Sequence, residues 1–489
     1  MSSQQGYLTD EKCFIVSLPL NAIQWSPDYK GISNFQIRVI PIESRSNDGD
    51  NSIHFQVSVL NEKKSIFVSQ PENGVEYSND YFMFKTISKN ELKGVKIEFL
   101  FSDSSQVHHP PVSSFTFFEA KSPGILHSPI IDAELKALGQ IKVHYLIVKP
   151  YPFNQPDGLC TNMHNYLKKG LHVGHRGAGV TRRVDLSDNI LENTILSLNH
   201  AVKHGADMVE FDVHLSKDDI PILYHDFSVY VELTKKGSTD NETLELPVKD
   251  LTYRQLKILK LGPKRKSETP FQFADDSEDN QPFCKLEHAL NTVSPCAFNV
   301  EIKYPTGYEF YKDLNHFVDT ILKTIFDHHN NRDIIISSFD PDVCAMVALK
   351  QKKFPVLFLT YTEDRNVKMT SDIDDRMDSI EMACYYSSAM SFSGINCYAQ
   401  NLISDKSLVR YVLNKDLILF CYGDPINCTS VVEDLIKEGV HGVIYDKIDI
   451  ISPKKLLTSV INAASQDGDT KEVVARKTSA TIVSISHSP

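Results

Sequence analysis

Residues 172–226 read HVGHRGAGVTRRVDLSDNILENTILSLNHAVKHGADMVEFDVHLSKDDIPILYHD. Within them Val209, Phe211, Val213 and Leu215 alternate with Glu210, Asp212 and His214, the two-residue period of a strand whose faces point opposite ways. One face is apolar throughout, and the other sets two carboxylates two residues apart. Burying like charges side by side is costly unless a proton or a cation intervenes, so the pairing points to a divalent metal. His175 and Arg176 stand at the end of the apolar strand LHVGH, while LENT and ILYHD bring Glu192 and His225 to neighbouring element ends.

The strand-then-helix rhythm continues downstream. After LHVGH and MVEFDVHL come AFNVEIKY, DIIISSF, PVLFLTY, GINCYA, LILFCYG and GVIYDK, with helical patterns at 192–204, 309–329, 341–352, 405–414 and 429–438. Strands and helices alternating over about 280 residues predict an α/β fold, a (β/α)8 TIM barrel spanning 171–462. A doubly wound open sheet fits less well, since no Gly-rich cofactor turn is present. Barrels of this kind carry their chemistry at the C-terminal strand ends, where the polar residues above fall. FNVEIKY adds Glu301 and Lys303 on one face, and LILFCYG ends in Tyr422 and a glycine.

Three carboxylates, two histidines, an arginine and a lysine therefore converge on one rim. Glu210, Asp212 and Glu301 are the candidate ligands of one divalent cation, and an all-oxygen set suits Mg²⁺ or Ca²⁺ better than Zn²⁺. Arg176 offers a fork matched to phosphate, and Gly174, Gly177 and Gly179 allow close approach of backbone to a ligand. Glu192 reads as an orienting partner for Arg176; a helix-start carboxylate favoured by the dipole is the alternative. Asp340 in SSFDPD reads as the N-cap of the helix at Pro341, and Asp327-His328-His329 as a solvated helix end.

The ordered set HRG, ENT, EFDV, HD and EIK resembles the glycerophosphodiester phosphodiesterase family from about His172 to Asp446. The wider wording VGHRGAG, VEFDVHLSKD, NQPF, FNVEIKY, SSFDPD and GVIYDKI is most similar to the family's eukaryotic cytosolic glycerophosphocholine enzymes. The resemblance implies His175 and His225 as the general acid/base pair, Glu210, Asp212 and Glu301 as metal ligands, and Arg176 and Lys303 as phosphate clamps. The family usually places a tryptophan against the glycerol on the seventh strand, where this chain has Tyr422. Implied is metal-dependent hydrolysis of a glycerophosphodiester, glycerophosphocholine foremost, to sn-glycerol 3-phosphate and choline. The implied partner is thus a small-molecule substrate. Lysophospholipase D-type headgroup cleavage at the same site is one alternative. A non-catalytic scaffold with a degenerate barrel is another, opposed by the presence of all seven rim residues.

Residues 1–148 differ in texture. FIVSLPL, NFQIRVIPI, IHFQVSVL, YFMFKTI, GVKIEFLF and IKVHYLIVKP are short, alternating and divided by turn-forming segments, which predicts an all-β sandwich packed on the barrel. In the resembling group such regions often include a starch-binding module. Trp25 is the only tryptophan, so a paired-indole sugar platform is missing and starch binding is not expected. A proline-bearing linker covers 149–170, with a short helix expected near 161–169. The charged stretch 262–283 reads as an insertion, and 463–489 as a disordered tail.

Composition narrows the classes further. A net charge of −12 over 489 residues weighs against general nucleic-acid binding, which needs a basic face. No apolar run approaches the roughly 18–20 residues of a transmembrane segment, and the N-terminus lacks the pattern of a signal peptide. Nine cysteines without a CxxC read as reduced, mostly buried thiols, and a cytoplasmic location is expected.

Overall fold

A computed structural model describes residues 7–29, 34–43, 53–63, 65–101, 111–119, 121–155, 170–181, 190–234, 241–259, 277–305, 312–361 and 374–452. The expected helix near 161–169, most of the 262–283 insertion and the 463–489 tail lie outside them.

The N-terminal region is an antiparallel sheet of eleven strands, ten along one hydrogen-bonded path and Ile23–Trp25 paired off it with Ala137–Val148. Lys12–Leu18 lies between Phe82–Ser88 and Ala137–Val148, and Phe35–Glu43 pairs along its length with Leu92–Phe101. Among the described residues the two halves are joined through Gly124–Ile131, which pairs with Val112–Phe117 at two positions. That narrow junction lets the path fold over. Phe14, Val16, Val57 and Phe84 from one half share a core with Ile37, Val39 and Ile97 from the other, as alternation on facing sheets requires. Trp25 belongs to this core, with its ring edge-on to Phe35 and Phe99 at 5.8 and 5.7 Å. Short strands at Ile23–Trp25, Val68–Ser69 and Val75–Glu76 are too brief to leave an alternating signature.

The opposite face of the same strands carries Cys13, Ile15, Met83, Leu146 and Val148, which cluster with apolar residues of barrel helices. Polar contacts cross here as well. Leu8 N–H donates to the Leu349 carbonyl at 2.9 Å, and Asn315 bonds both Lys149 N and the Ile147 carbonyl. The Lys350 ammonium donates to the Lys149 carbonyl at 2.8 Å and pairs with Asp319.

In the second region the strands Leu171–Gly174, Met208–Leu215, Ala297–Ile302, Ile334–Ser338, Val356–Thr360, Gly394–Tyr398, Ile418–Tyr422 and Gly442–Tyr445 run parallel in that order. The last pairs back onto the first through Leu171↔Gly442 to Gly174↔Tyr445, which closes the barrel. Every position of Met208–Leu215 is buried. Val209, Phe211, Val213 and Leu215 pack outward into the helical layer, leaving Glu210, Asp212 and His214 to the interior.

Helices fill the intervals, including Ile195–Lys203, Leu314–His328, Pro341–Lys350, Ile380–Met390 and Thr429–Glu438. Two additions decorate the second strand. Pro221–Leu223 returns antiparallel along it, and a separate hairpin pairs Ser228–Thr234 with Asn241–Pro247. At the end of Leu314–His328, His329 is buried against the Phe354 ring at 5.7 Å, so it is a packed residue and not a solvated end.

Asp340 caps its helix: its Oδ1 accepts from Asp342 N and Val343 N, each at 2.9 Å. Replacing such a cap costs about 1 kcal/mol. Asp340→Ala is expected to lower unfolding free energy by about that amount, measured by denaturant titration with an unchanged m-value; no loss would mean that other donors and acceptors compensate.

Candidate active site

His175, Arg176, His225 and Lys303 sit just past a strand's C-terminal end, while Glu210 and Asp212 lie within the long second strand Met208–Leu215. His175 and Arg176 follow Leu171–Gly174, and Lys303 follows Ala297–Ile302, its N–H donating to the Val213 carbonyl at 3.0 Å. The returning strand Pro221–Leu223 carries His225 back to the same end. One cavity of about 600 Å³ is lined by His175, Arg176, Glu210, Asp212, His225, Glu301, Lys303 and Tyr422. Glu192 lies behind it.

The register of the second and third strands sets Asp212 opposite Glu301. Glu210, Asp212 and Glu301 each present one oxygen within 4.8 Å of the others, and all three are buried. Burial, with Asp212 and Glu301 beside it, pushes Glu210 up to about 8. Asp212 is driven the other way: burial opposes its charge, but Lys303, His225 and Arg176 outweigh it and hold the carboxyl well below the usual range. One Glu210 oxygen accepts from Arg176 N at 2.8 Å, while the other, Oε1, is buried with no hydrogen-bond partner. An orphaned carboxylate oxygen costs free energy that a cation would recover. The donor set therefore fits a hard divalent ion.

Arg176 is held from several sides. Its Nη1 donates to Glu192 Oε1 at 2.6 Å, and its Nε lies 3.7 Å from Asp212 Oδ2. Glu192 is fixed in turn, since Oε2 accepts from Thr181 N at 2.7 Å and Glu192 N donates to Thr181 Oγ1. Arg176 itself adopts a left-handed φ of 48°, and such conformations persist where surrounding bonds over-determine them. Here Ser197 Oγ donates to the Arg176 carbonyl at 2.8 Å. The glycines serve this turn. At φ 86° a Cβ on Gly177 would meet Ser197 at 2.6 Å, and one on Gly179 would strike Asp446. Their close approach is to the protein's own helix start and eighth strand.

Lys303 Nζ stands 3.0 Å from Glu301 Oε1 and 3.5 Å from Asp212 Oδ1. It lies between the rings of Phe227 and Phe339 at 6.0 and 5.9 Å. Phe339 stacks on Tyr361 at 4.3 Å and meets Tyr422 edge-on at 5.8 Å, making an aromatic wall. The Tyr422 hydroxyl donates to the Thr360 carbonyl at 3.0 Å.

Both histidines are backed by carboxylates. His175 Nδ1 is 2.7 Å from Asp446 Oδ1, and His225 Nδ1 is 2.8 Å from Asp226 Oδ1. Burial and Arg176 disfavour the His175 imidazolium, but Asp446 and Glu210 outweigh them, and its pKa lies above the ordinary value. Asp446 is locked by reciprocal bonds with Asn427 at 3.1 and 2.8 Å.

Sequence reasoning left several of these partners out. Asp446 had a readable signal, being the first polar residue after the apolar strand GVIY. Asn193, inside the ENT triplet, grips Asp212 twice at 2.9 and 3.1 Å; its left-handed φ of 57° has no sequence signature beyond asparagine's tolerance of it. His214 is kept neutral by burial and by Lys303, which push it down to about 3. Its Nε2 lies 3.3 Å from the His225 carbonyl, where it braces the returning strand.

Comparison with known proteins finds relatives of both regions. The model of the glycerophosphoryl diester phosphodiesterase family matches residues 175–450, and that of a GDE1-like C2 domain matches residues 8–152. Glycerophosphocholine phosphodiesterase GPCPD1 of Homo sapiens is 34% identical over 78% of this chain and 61% of its own length. GPCPD1 homolog 1 of Caenorhabditis elegans is 32% identical over 83% of this chain and 65% of its own length. The chain thus spans under two thirds of these curated relatives. A solved glycerophosphodiester phosphodiesterase from Parabacteroides distasonis aligns with 60% of this chain and 99% of that one, at 18% identity and a TM-score of 0.42. With a family match covering more than half of its length, the chain belongs to the glycerophosphoryl diester phosphodiesterase family.

Proposed function

We propose that the barrel hydrolyses a glycerophosphodiester, glycerophosphocholine foremost, to sn-glycerol 3-phosphate and choline. One observation carries this reading: a single cavity unites three clustered buried carboxylates, two cationic side chains and two carboxylate-backed imidazoles. Glu210, Asp212 and Glu301 would hold one Mg²⁺ or Ca²⁺, whose charge offsets that developing on a nonbridging phosphate oxygen.

With Nδ1 tied to Asp446 or Asp226, each imidazole keeps Nε2 for proton transfer. One takes the proton from the attacking hydroxyl, and the other protonates the departing alkoxide. Water and the neighbouring glycerol hydroxyl both suit this pair as nucleophile, and detection of a cyclic phosphate would distinguish them. Lys303 and the Arg176 face turned away from Glu192 hold the phosphate. Glu192 acts through Arg176 as a positioning residue.

The sandwich is proposed to dock permanently on the barrel, supported by the apolar cluster they share and the bonds from Leu8, Lys149 and Asn315. A cytoplasmic setting fits Cys13, Cys344, Cys384, Cys397 and Cys421, which are buried as free thiols. No helix among the described residues is long and apolar enough to cross a membrane.

The test is a side-by-side rate measurement with glycerophosphocholine, glycerophosphoinositol and lysophosphatidylcholine. Fastest cleavage of glycerophosphocholine is expected. Faster cleavage of lysophosphatidylcholine would favour the lysophospholipase D-type reading, and no cleavage of any would leave a scaffold.

Tyr422 contributes to the wall through both its ring and its hydroxyl. Tyr422→Phe removes only the bond to Thr360, so a loss of about 1 kcal/mol of stability is expected, with KM within about twofold. Tyr422→Ala should raise KM roughly tenfold through lost apolar contact. If kcat collapses in Tyr422→Phe, the hydroxyl takes part in the chemistry and this assignment is wrong.

A further inference from the structure

The cavity has two chemically different ends. Arg176 and Lys303 lie at the inner end with the carboxylate cluster. Its lining also includes Phe227, Ser228, Tyr230 and Glu245, from the hairpin of Ser228–Thr234 with Asn241–Pro247 and the residue before it. Tyr230 and Glu245 are cross-strand partners there, so they present an aromatic ring and a carboxylate side by side.

Two independent observations mark this as more than a solvated rim. Large aromatic rings are left in contact with solvent here: Phe227, Tyr230 and Tyr361 are 38%, 52% and 42% exposed, and all three line this one cavity. Exposed aromatics gathered at a concave mouth are the usual mark of a binding surface. The second observation is the division of the lining carboxylates. Glu210, Asp212 and Glu301 form the inner cluster, and Asp226 is committed to His225. Glu245 remains, and it joins none of the ion pairs among the described residues.

We propose that Glu245 and Tyr230 form a headgroup subsite selecting a quaternary ammonium. The proposal rests on the glycerophosphodiester reading above and names what that reading leaves open, the residues that choose the alcohol. A trimethylammonium group has no N–H to donate and spreads its charge over methyl surface. Aromatic faces and a nearby carboxylate recognise such a cation. A polyol headgroup would instead need hydrogen-bond donors and acceptors converging on its hydroxyls. With the phosphate held by Arg176 and Lys303 at the inner end, the headgroup extends toward the hairpin residues that line the same cavity.

The experiment combines binding and turnover, using the full chain. Choline alone is titrated into the wild type, Glu245→Gln and Tyr230→Ala, with line broadening of its methyl proton resonance as the signal. Each variant is expected to weaken choline binding about fivefold, the scale of a partly exposed cation–π or ionic contact. The ratio of kcat/KM for glycerophosphocholine to that for glycerophosphoinositol should fall by a similar factor. Choline affinity that is the same in Glu245→Gln as in the wild type, absence of choline binding to the wild type, or equal loss on both substrates would each overturn the subsite. Choline binding that depends on Glu245 in a chain that cleaves no glycerophosphodiester would uphold the subsite and sink the reaction.

Discussion

His175→Ala and His225→Ala are each expected to lower turnover at least about 10²-fold, the scale of losing a general acid or base. Both rings stand at the barrel rim with side chains 28% and 33% exposed, so removing them leaves no large cavity, and thermal unfolding should hardly move. The effect should fall on kcat more than on KM, because the proton transfers occur in the transition state. Asp446→Asn separates orientation from chemistry. It keeps the side chain's shape but weakens its hold on the His175 Nδ1 proton, so a smaller loss with a shifted pH profile is expected. Turnover like that of the wild type in either histidine variant would remove that residue from the mechanism.

Glu210→Gln, Asp212→Asn and Glu301→Gln are expected to be the most damaging changes, at about 10³-fold or more in turnover, because the loss of a ligand forfeits several kcal/mol of charge stabilisation. Stability should move the other way. Glu210 is a buried carboxyl facing two others, and neutralising it relieves like-charge repulsion. In chelator-treated protein Glu210→Gln should therefore unfold at the same temperature as the wild type or higher, while divalent cation should raise the melting temperature of the wild type alone. Chelation should abolish wild-type activity, and Mg²⁺ or Ca²⁺ should restore it. Activity that survives exhaustive chelation would sink the metal assignment.

The barrel was legible because its strands are buried on both faces, so segments such as DIIISSF and LILFCYG read as near-continuous apolar runs between amphipathic helices. The rim was legible for a related reason. A carboxylate inside an apolar run, as at Glu210, Asp212 or Glu301, conflicts with its surroundings, and such conflicts gather at functional sites. Residues without that conflict were hidden. Asp226 and Asp446 follow strands, where an acid is also ordinary turn chemistry, and only the folded chain sets them against His225 and His175. Ile380–Met390 has a weak period because its half-exposed stripe of Glu381, Met382, Tyr385 and Ser388 includes apolar residues while its buried face includes Ser387, which blurs the 3.6-residue polar pattern. The hairpin at Ser228–Thr234 and Asn241–Pro247 was missed although SVYVELT alternates, since a barrel rhythm leads one to expect a helix after the second strand. In the N-terminal region the alternation announced a β-sandwich, but the specific C2 likeness depends on strand order, which periodicity does not carry.

Cleavage at this cavity is proposed to fall on the alcohol side of the phosphodiester and to leave the phosphate on glycerol. Phosphorus NMR of glycerophosphocholine incubated with the purified chain and Mg²⁺ or Ca²⁺ distinguishes the two sides. The diester resonance should be replaced by that of sn-glycerol 3-phosphate, with one equivalent of free choline. Appearance of phosphocholine, or persistence of the diester with either cation present, would contradict the account.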